Sequence, residues 1–411
     1  MNKKIFIYLF ITNSLMFFFQ SISKAVYTPL VTPFQEHFNV GATEAGLLIT
    51  LVFLGYALAR FPSGILTDIL GCEKTIIFGV SLTGITLIMV GFAPNYFILA
   101  VLTFIMGIAT GLYITAGYTY AVTIGTDERE TTFTALLELF GGGAGLITPY
   151  LVVLFLEDWQ IGWRGLFYAT GIGIILANLV FIWLRNIKNK ANTESENTSE
   201  KEKGNREFKL EVFKQETLKT LKVFKNPKMR RFIIWATLVG GFGNFANLGF
   251  RSFIPDYLYE IRGYEFSTAN QLFMIIFISG LFTKIAVGWV ADKVGNKKIL
   301  LGILITNFIL FFIFTSNISH LLTIIILILF GVTFINHNTL INSYVLKLTP
   351  EKYRGTGFGL FCTLYTVIYS MGPVVTGFIN DHLGRVVGMR AAVLGLIIAG
   401  ILIWKFESFV G

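Results

Sequence analysis

Four cations fall inside long apolar stretches of this 411-residue chain: Lys24, Arg60, Arg251 and Lys284. A charged side chain in hydrocarbon is costly, so such residues tend to face a cavity and act there. The acidic residue that lies clearly within an apolar run is Glu138. Cations without carboxylate partners around a cavity invite an anion. Arg60 precedes Asp68 by eight residues, and Lys284 precedes Asp292 by the same interval. Eight residues are about 12 Å of helix, enough to bring both cations to the middle of a membrane. Lys24 and Arg251, the latter four residues before Pro255, are expected nearer the outer side. A structural alternative stands beside this. Arg60 could pair with a carbonyl or with Glu138, and Lys24 and Arg251 could snorkel outward.

Neutral groups could complete such a site. Asn336, His337 and Asn338 form one polar run, with Asn342 after it. The amides could orient a solute, and His337 could titrate or simply pack. Asn244, Asn247, Gln20 and Ser23 could add hydrogen bonds. Tyr27, Tyr113, Tyr118, Tyr365 and Tyr369 could line a path or fill space between helices. Nothing suggests an enzyme: there is no phosphate-cradling loop, nucleophile–base set or metal cluster, and no cofactor is expected.

The elements that must carry these residues are membrane helices. The chain is 54% hydrophobic and 14% charged, against about 25% charged in soluble domains. Its mean hydropathy is +0.68. Twelve apolar segments can be counted, at 5–27, 45–69, 75–93, 97–124, 133–156, 164–184, 231–258, 268–291, 298–316, 320–346, 356–380 and 388–407. Each can span a bilayer, and each must be helical because hydrocarbon offers backbone groups no partner. Residues 185–230 form a polar interval. Its first part cannot bury a core, while 207–225 has the spacing of a short amphipathic surface helix or a solvated linker helix. Lys3, Lys4 and the small-x-small run Ser23–Lys24–Ala25 resemble a signal peptide. Retention is expected, because cleavage would break the repeat described next. Cys72 and Cys362 fall in different halves with no metal-binding spacing, and no disulfide is expected.

The net charge is +9. Topology accounts for it better than nucleic acid does. Outside the four buried cations, only Arg164, Arg262, Arg385 and Arg390 fall in loops on one side of the twelve-span map; every other Lys and Arg falls on the opposite side. That asymmetry makes both termini and the polar interval cytoplasmic.

The chain also repeats. ALARFPSGILTDILGCEK and LFTKIAVGWVADKVGNKK place Arg60, Gly64, Asp68 and Gly71 each 224 positions before Lys284, Gly288, Asp292 and Gly295. Pro149 and Pro373 keep the same offset, as do Thr43 and Ser267, which are expected to cap the second and eighth segments. Two parallel six-helix halves, 1–184 and 231–411, joined by 185–230, would put a site at their interface.

On these residues the chain resembles the major facilitator superfamily over essentially its whole length. The carrying motif is G-x-x-x-D-(basic)-x-G-x-(basic)-(basic) between helices two and three. Its C-terminal copy, Gly288, Asp292, Lys293, Gly295, Lys297 and Lys298, is complete; the N-terminal copy has Ile69 and Glu73 in place of basic residues. The resemblance implies that Asp68 and Asp292 lock a cytoplasmic gate when the transporter opens outward. The antiporter pattern of helix five is only loosely present in GGGAGLITP, so Gly141, Gly142, Gly143 and Gly145 are read as close helix packing. A basic residue four positions before the motif glycine on helix eight resembles the oxalate–formate antiporters and monocarboxylate porters. Basic residues there on both helices two and eight resemble the nitrate–nitrite porters. The placement of Lys24 also resembles the monocarboxylate porters. By that resemblance Arg60, Lys284 and Lys24 contact substrate. Gly280 stands where proton-coupled carboxylate porters have an acid, and the nitrate porters' glycine–asparagine signature is not evident.

The expectation is therefore an all-α, twelve-helix secondary transporter of the cell (inner) membrane, a monomer, moving a small carboxylate-type anion by alternating access. Substrate-binding candidates are Arg60, Lys284, Lys24, Arg251, Asn338 and His337. Partners would be that solute, the bilayer and a coupling ion such as H+. The alternatives are a proton-driven drug exporter with Glu138 as proton site, or a non-transporting sensor.

Overall fold

The computed structural model describes residues 3–124, 130–195, 226–349 and 354–405. The surface helix expected at 207–225 lies outside them. Among the described residues, twelve helices are long and apolar enough to cross a membrane. We number them α1 (Ile5–Ala25), α2 (Ala42–Leu70), α3 (Cys72–Gly91), α4 (Tyr96–Thr123), α5 (Phe133–Asp158), α6 (Gly162–Lys190), α7 (Pro227–Glu260), α8 (Phe266–Val294), α9 (Asn296–Phe314), α10 (His320–Leu348), α11 (Gly357–Leu383) and α12 (Arg385–Trp404). Each apolar run read from the sequence coincides with one of them to within a few residues.

The 224-residue offset reappears in the backbone. Gly71 and Gly295 have φ of 83° and 99°, which glycine adopts at no steric cost. They turn the chain sharply between α2 and α3 and between α8 and α9. Asn39 and Gly263 also share positive φ at this offset, as do Gln160 and Gly384. The tight turns thus repeat even where the residue type does not.

Prolines and charges shape the rest. α7 is interrupted at Phe253, just before Pro255, and α11 at Met371, before Pro373, as a missing N–H and a ring clash require. The helix containing α6 continues to Ser195, into the interval expected to be linker. Glu73 explains this: its carboxylate holds Arg185 at 2.8 Å and also pairs with Lys188. The residue that departs from the basic motif at the start of α3 therefore fastens the far end of α6. A short helix, Val31–Phe38, lies between α1 and α2; eight residues were too few to stand out as a segment.

Two seams join the first six spans to the last six. α2 lies along α11, where Gly46 leaves no room for a side chain against the carbonyl of Pro373, nor Gly377 against that of Ala42. α5 lies along α8, where Gly142 and Gly145 face Leu281 and Phe277, as the packing reading of these glycines expected. Gly143 has open space instead.

The end of the bundle opposite the Gly71 and Gly295 turns is tied shut. The Asp381 carboxylate, on the last turn of α11, accepts from the backbone N–H groups of Ala42 (2.8 Å) and Thr43 (2.7 Å) and from the Thr43 hydroxyl. It thus caps the N-terminus of α2 from the other half of the chain. This corrects the expectation that Thr43 and Ser267 are caps. α2 starts at Gly41, whose N–H donates to Glu44. Ser267 lies within α8, whose cap position is Glu265. Deeper in the same end, Asp256 is buried, bonded to Arg385 at 2.8 Å, and accepts from Thr32 at 3.1 Å. Thr32 and Asp256 are themselves 224 residues apart.

Asp381→Ala removes the trans cap, so this end is expected to open more often. Spin labels at Asn95 and Ser319, exposed in the α3–α4 and α9–α10 connections, should report a longer mean distance in the variant. An unchanged distance distribution would rule out a tie at Asp381.

Candidate functional site

Beside the α2–α11 seam, among α2, α4, α5 and α11, lies a cavity of about 680 Å³. It reaches the end carrying the Gly71 turn, with exposed Asp68 at its mouth. α2 supplies Tyr56 and Arg60, α4 supplies Tyr118, α5 supplies Glu138, and α11 supplies Leu360 and Thr363. Lys24 stands over the Tyr56 ring at 4.6 Å, and the Arg60 guanidinium is 6.0 Å from the same ring. Both fit cation–π contacts. Neither forms an ion pair among the described residues.

Lys284 differs. Its ammonium lies 3.5 Å from a Glu138 oxygen, and the Tyr118 hydroxyl donates to the other Glu138 oxygen. The carboxylate of α5 therefore answers the cation of α8, whereas Arg60 was the partner considered from the sequence. Lys284 and Arg60 keep equivalent places in the repeat but not equivalent partners.

A second cavity of about 230 Å³ lies further from the mouth, lined by Phe53, Asn244, Asn247, Arg251, Asn338 and Tyr369. Arg251 approaches the Phe277 ring at 5.9 Å and has no ion pair among the described residues. Asn247 accepts from Asn307 at 3.0 Å, while its own amide nitrogen is buried without a partner among the described residues. The Tyr365 hydroxyl donates to Asn338 at 3.1 Å. Of the α10 polar run, Asn338 reaches this cavity and His337 lines neither. His337 is buried against Gly243 with Nδ1 3.4 Å from Asn244, which is a packing position.

This architecture, twelve apolar spans with cavities between them, has a known sequence counterpart. The pattern of the Major Facilitator Superfamily matches residues 14–373. The chain belongs to this superfamily. Among its relatives, the cis,cis-muconate transport protein of Acinetobacter baylyi is 25% identical, over 88% of this chain and 84% of the relative. The sialic acid transporter NanX of Escherichia coli is 27% identical, over 84% and 81%. A solved structure of a bacterial homolog of the human lysosomal transporter Spinster superposes with a TM-score of 0.78 at 15% identity, covering 100% of this chain and 98% of that one, and so shares the fold. These proteins are transporters, and the chain is a multi-pass membrane transporter rather than an enzyme.

Within the superfamily motif, Gly288 faces open space and exposed Asp292 pairs with Lys347 of α10 at 2.9 Å. Lys293 stands 3.6 Å over the Trp289 ring. Lys297 and Lys298 extend the basic surface of that turn. At the other copy, Gly64 and Asp68 line the large cavity.

Sequence reasoning missed one charged residue. Asp256 also lies inside an apolar segment, so Glu138 is not alone in that respect. The signal was legible, since Asp256 directly follows Pro255. Its partner Arg385 is distant in sequence, and only the fold shows that the pair closes one end and leaves the cavity.

Glu138 and Lys284 are each more than one-third exposed, so their pairing should contribute modestly, up to about 1 kcal/mol. Single and double alanine variants at the two positions should unfold with a coupling of that size. Additive losses would mean that the two charges do not interact.

Proposed function

We propose that this transporter moves a small organic anion by alternating access, with Arg60 as its principal ligand and Lys24 beside it. The observation that carries the reading is the charge balance of the passage. Arg60 lines the large cavity, Lys24 and Lys284 stand beside its Tyr56 and Glu138, and Arg251 lines the smaller one, whereas Glu138 is engaged by Lys284 and Asp68 stands at the exposed mouth. A cation held in low dielectric with no partner attracts an anionic solute strongly. The relatives support the same class, since muconate and sialic acid are both carboxylates.

In this reading the chain folds as two six-helix halves, 1–184 and 231–411, joined by 185–230, and resides in the cell (inner) membrane as a monomer. The positive loops place the end carrying Gly71 and Gly295 in the cytoplasm. The conformation described here then opens inward, with Asp381 and Asp256 closing the outer end. When the protein turns outward, Asp68 and Asp292 would hold the cytoplasmic end shut. Glu138 is our candidate for the coupling proton. Protonation would remove its charge, release Lys284 and add a further cation for the arriving anion.

Uptake of radiolabelled carboxylates into proteoliposomes tests the reading. Arg60→Ala should weaken carboxylate binding at least about tenfold, in line with the ~2–5 kcal/mol lost when one partner of a buried charged contact is truncated. Equal affinities in wild type and variant, or transport of hydrophobic cations instead, would contradict it.

A further inference from the structure

We infer that the transported anion carries two acidic groups, one met by Arg60 and the other by Arg251 in the deeper cavity. The inference rests on the anion reading above and names the substrate class more closely.

Both cavities lie against α2. Phe53 lines the smaller one and Arg60 the larger, and seven residues of helix separate them by about 10 Å. The wall between is aromatic. Tyr369 lines the smaller cavity and packs on Phe53 and on Tyr365, each at 5.6 Å between ring centroids. Tyr56 lines the larger cavity near the Arg60 guanidinium. A short carbon chain laid along these rings from one cavity into the other would bring an acidic group to each guanidinium.

The nearby groups do not satisfy Arg251. Asp256 is five residues further along α7 but is committed to Arg385 and Thr32. Glu138 is committed to Lys284 and Tyr118. What surrounds Arg251 instead is neutral hydrogen-bonding capacity: Asn244, Asn338 and Asn247, the last with an amide nitrogen that has no partner among the described residues. A guanidinium flanked by amide donors suits a carboxylate, which accepts from several donors at once.

The balance of charge points the same way. Among the described residues, Lys24, Arg60 and Arg251 form no ion pair, whereas Lys284 has Glu138 and Asp68 stands at the exposed mouth. A monocarboxylate would neutralise one and leave Arg251 desolvated and unanswered. A dicarboxylate answers the two arginines together and leaves Lys24 on its tyrosine face.

Calorimetry on the purified full-length protein tests this with saturated α,ω-dicarboxylates of four to eight carbons and with hexanoate as the single-charge probe. At least one dicarboxylate should bind at least about tenfold tighter than hexanoate. Arg251→Gln should bring that dicarboxylate to the hexanoate level, Arg251→Lys should keep part of the advantage, and Arg60→Gln should weaken both probes. A thermal unfolding transition for each variant confirms that it is folded. Hexanoate binding as tightly as every dicarboxylate, or Arg251→Gln weakening both probes equally, would overturn the two-group inference while leaving the anion reading in place. Failure of every carboxylate to bind would overturn both.

Discussion

The cost of holding a cation inside a membrane is the constraint on which the rest of this molecule depends. Each of Lys24, Arg60, Arg251 and Lys284 must be compensated by a carboxylate, by aromatic faces, by water in a cavity or by a ligand. The protein uses several of these remedies at different places. Glu138 answers Lys284, Tyr56 lies beneath Lys24 and near Arg60, and amides surround Arg251. Among the described residues the compensation is incomplete along the passage, whereas at the closed end Arg385 has Asp256. Incomplete compensation in the passage is the ground on which we propose a solute anion as the missing partner.

The two ends of the bundle use one device in different ways. α2, α8 and α11 each end in Asp-x-x-Gly, and Gly71, Gly295 and Gly384 all take positive φ there. At the closed end the aspartate, Asp381, reaches across the seam and caps α2. At the other end Asp292 bonds within its own half, to Lys347, and Asp68 stands at the cavity mouth. A carboxylate capping a helix across a seam is worth about 0.5–2 kcal/mol. A contribution of that size is enough to bias a conformational equilibrium.

Much of this was legible in the sequence because it is local or periodic. The twelve spans, the offset that relates Gly71 to Gly295, and the close packing at Gly142 and Gly145 all follow from run length, spacing and residue size. What could not be read depends on which helices meet. Glu138 and Lys284 are far apart in the chain, and only the α5–α8 seam brings them together. Glu73 reads as a defect in a basic motif until α6 is seen to supply Arg185 and Lys188. Thr43 reads as a helix cap because of its type, yet the cap comes from Asp381, more than three hundred residues away. His337 looked chemical for its type, whereas packing against Gly243 leaves it outside both cavities. Asn39 and Gln160 turn the chain where their repeat partners are glycines, so the residue alphabet concealed a symmetry that the backbone keeps.

The proposed anion site depends on Arg60 having no ion-pair partner among the described residues where it lines the large cavity. A crystal of the protein grown with a brominated carboxylate tests it most directly, because bromine can be located by its anomalous scattering. One peak is expected inside the large cavity, with the carboxylate within hydrogen-bonding distance of the Arg60 guanidinium, and no peak there from the corresponding brominated amide. Equal occupancy by acid and amide, or a carboxylate bound only away from Arg60, would contradict it.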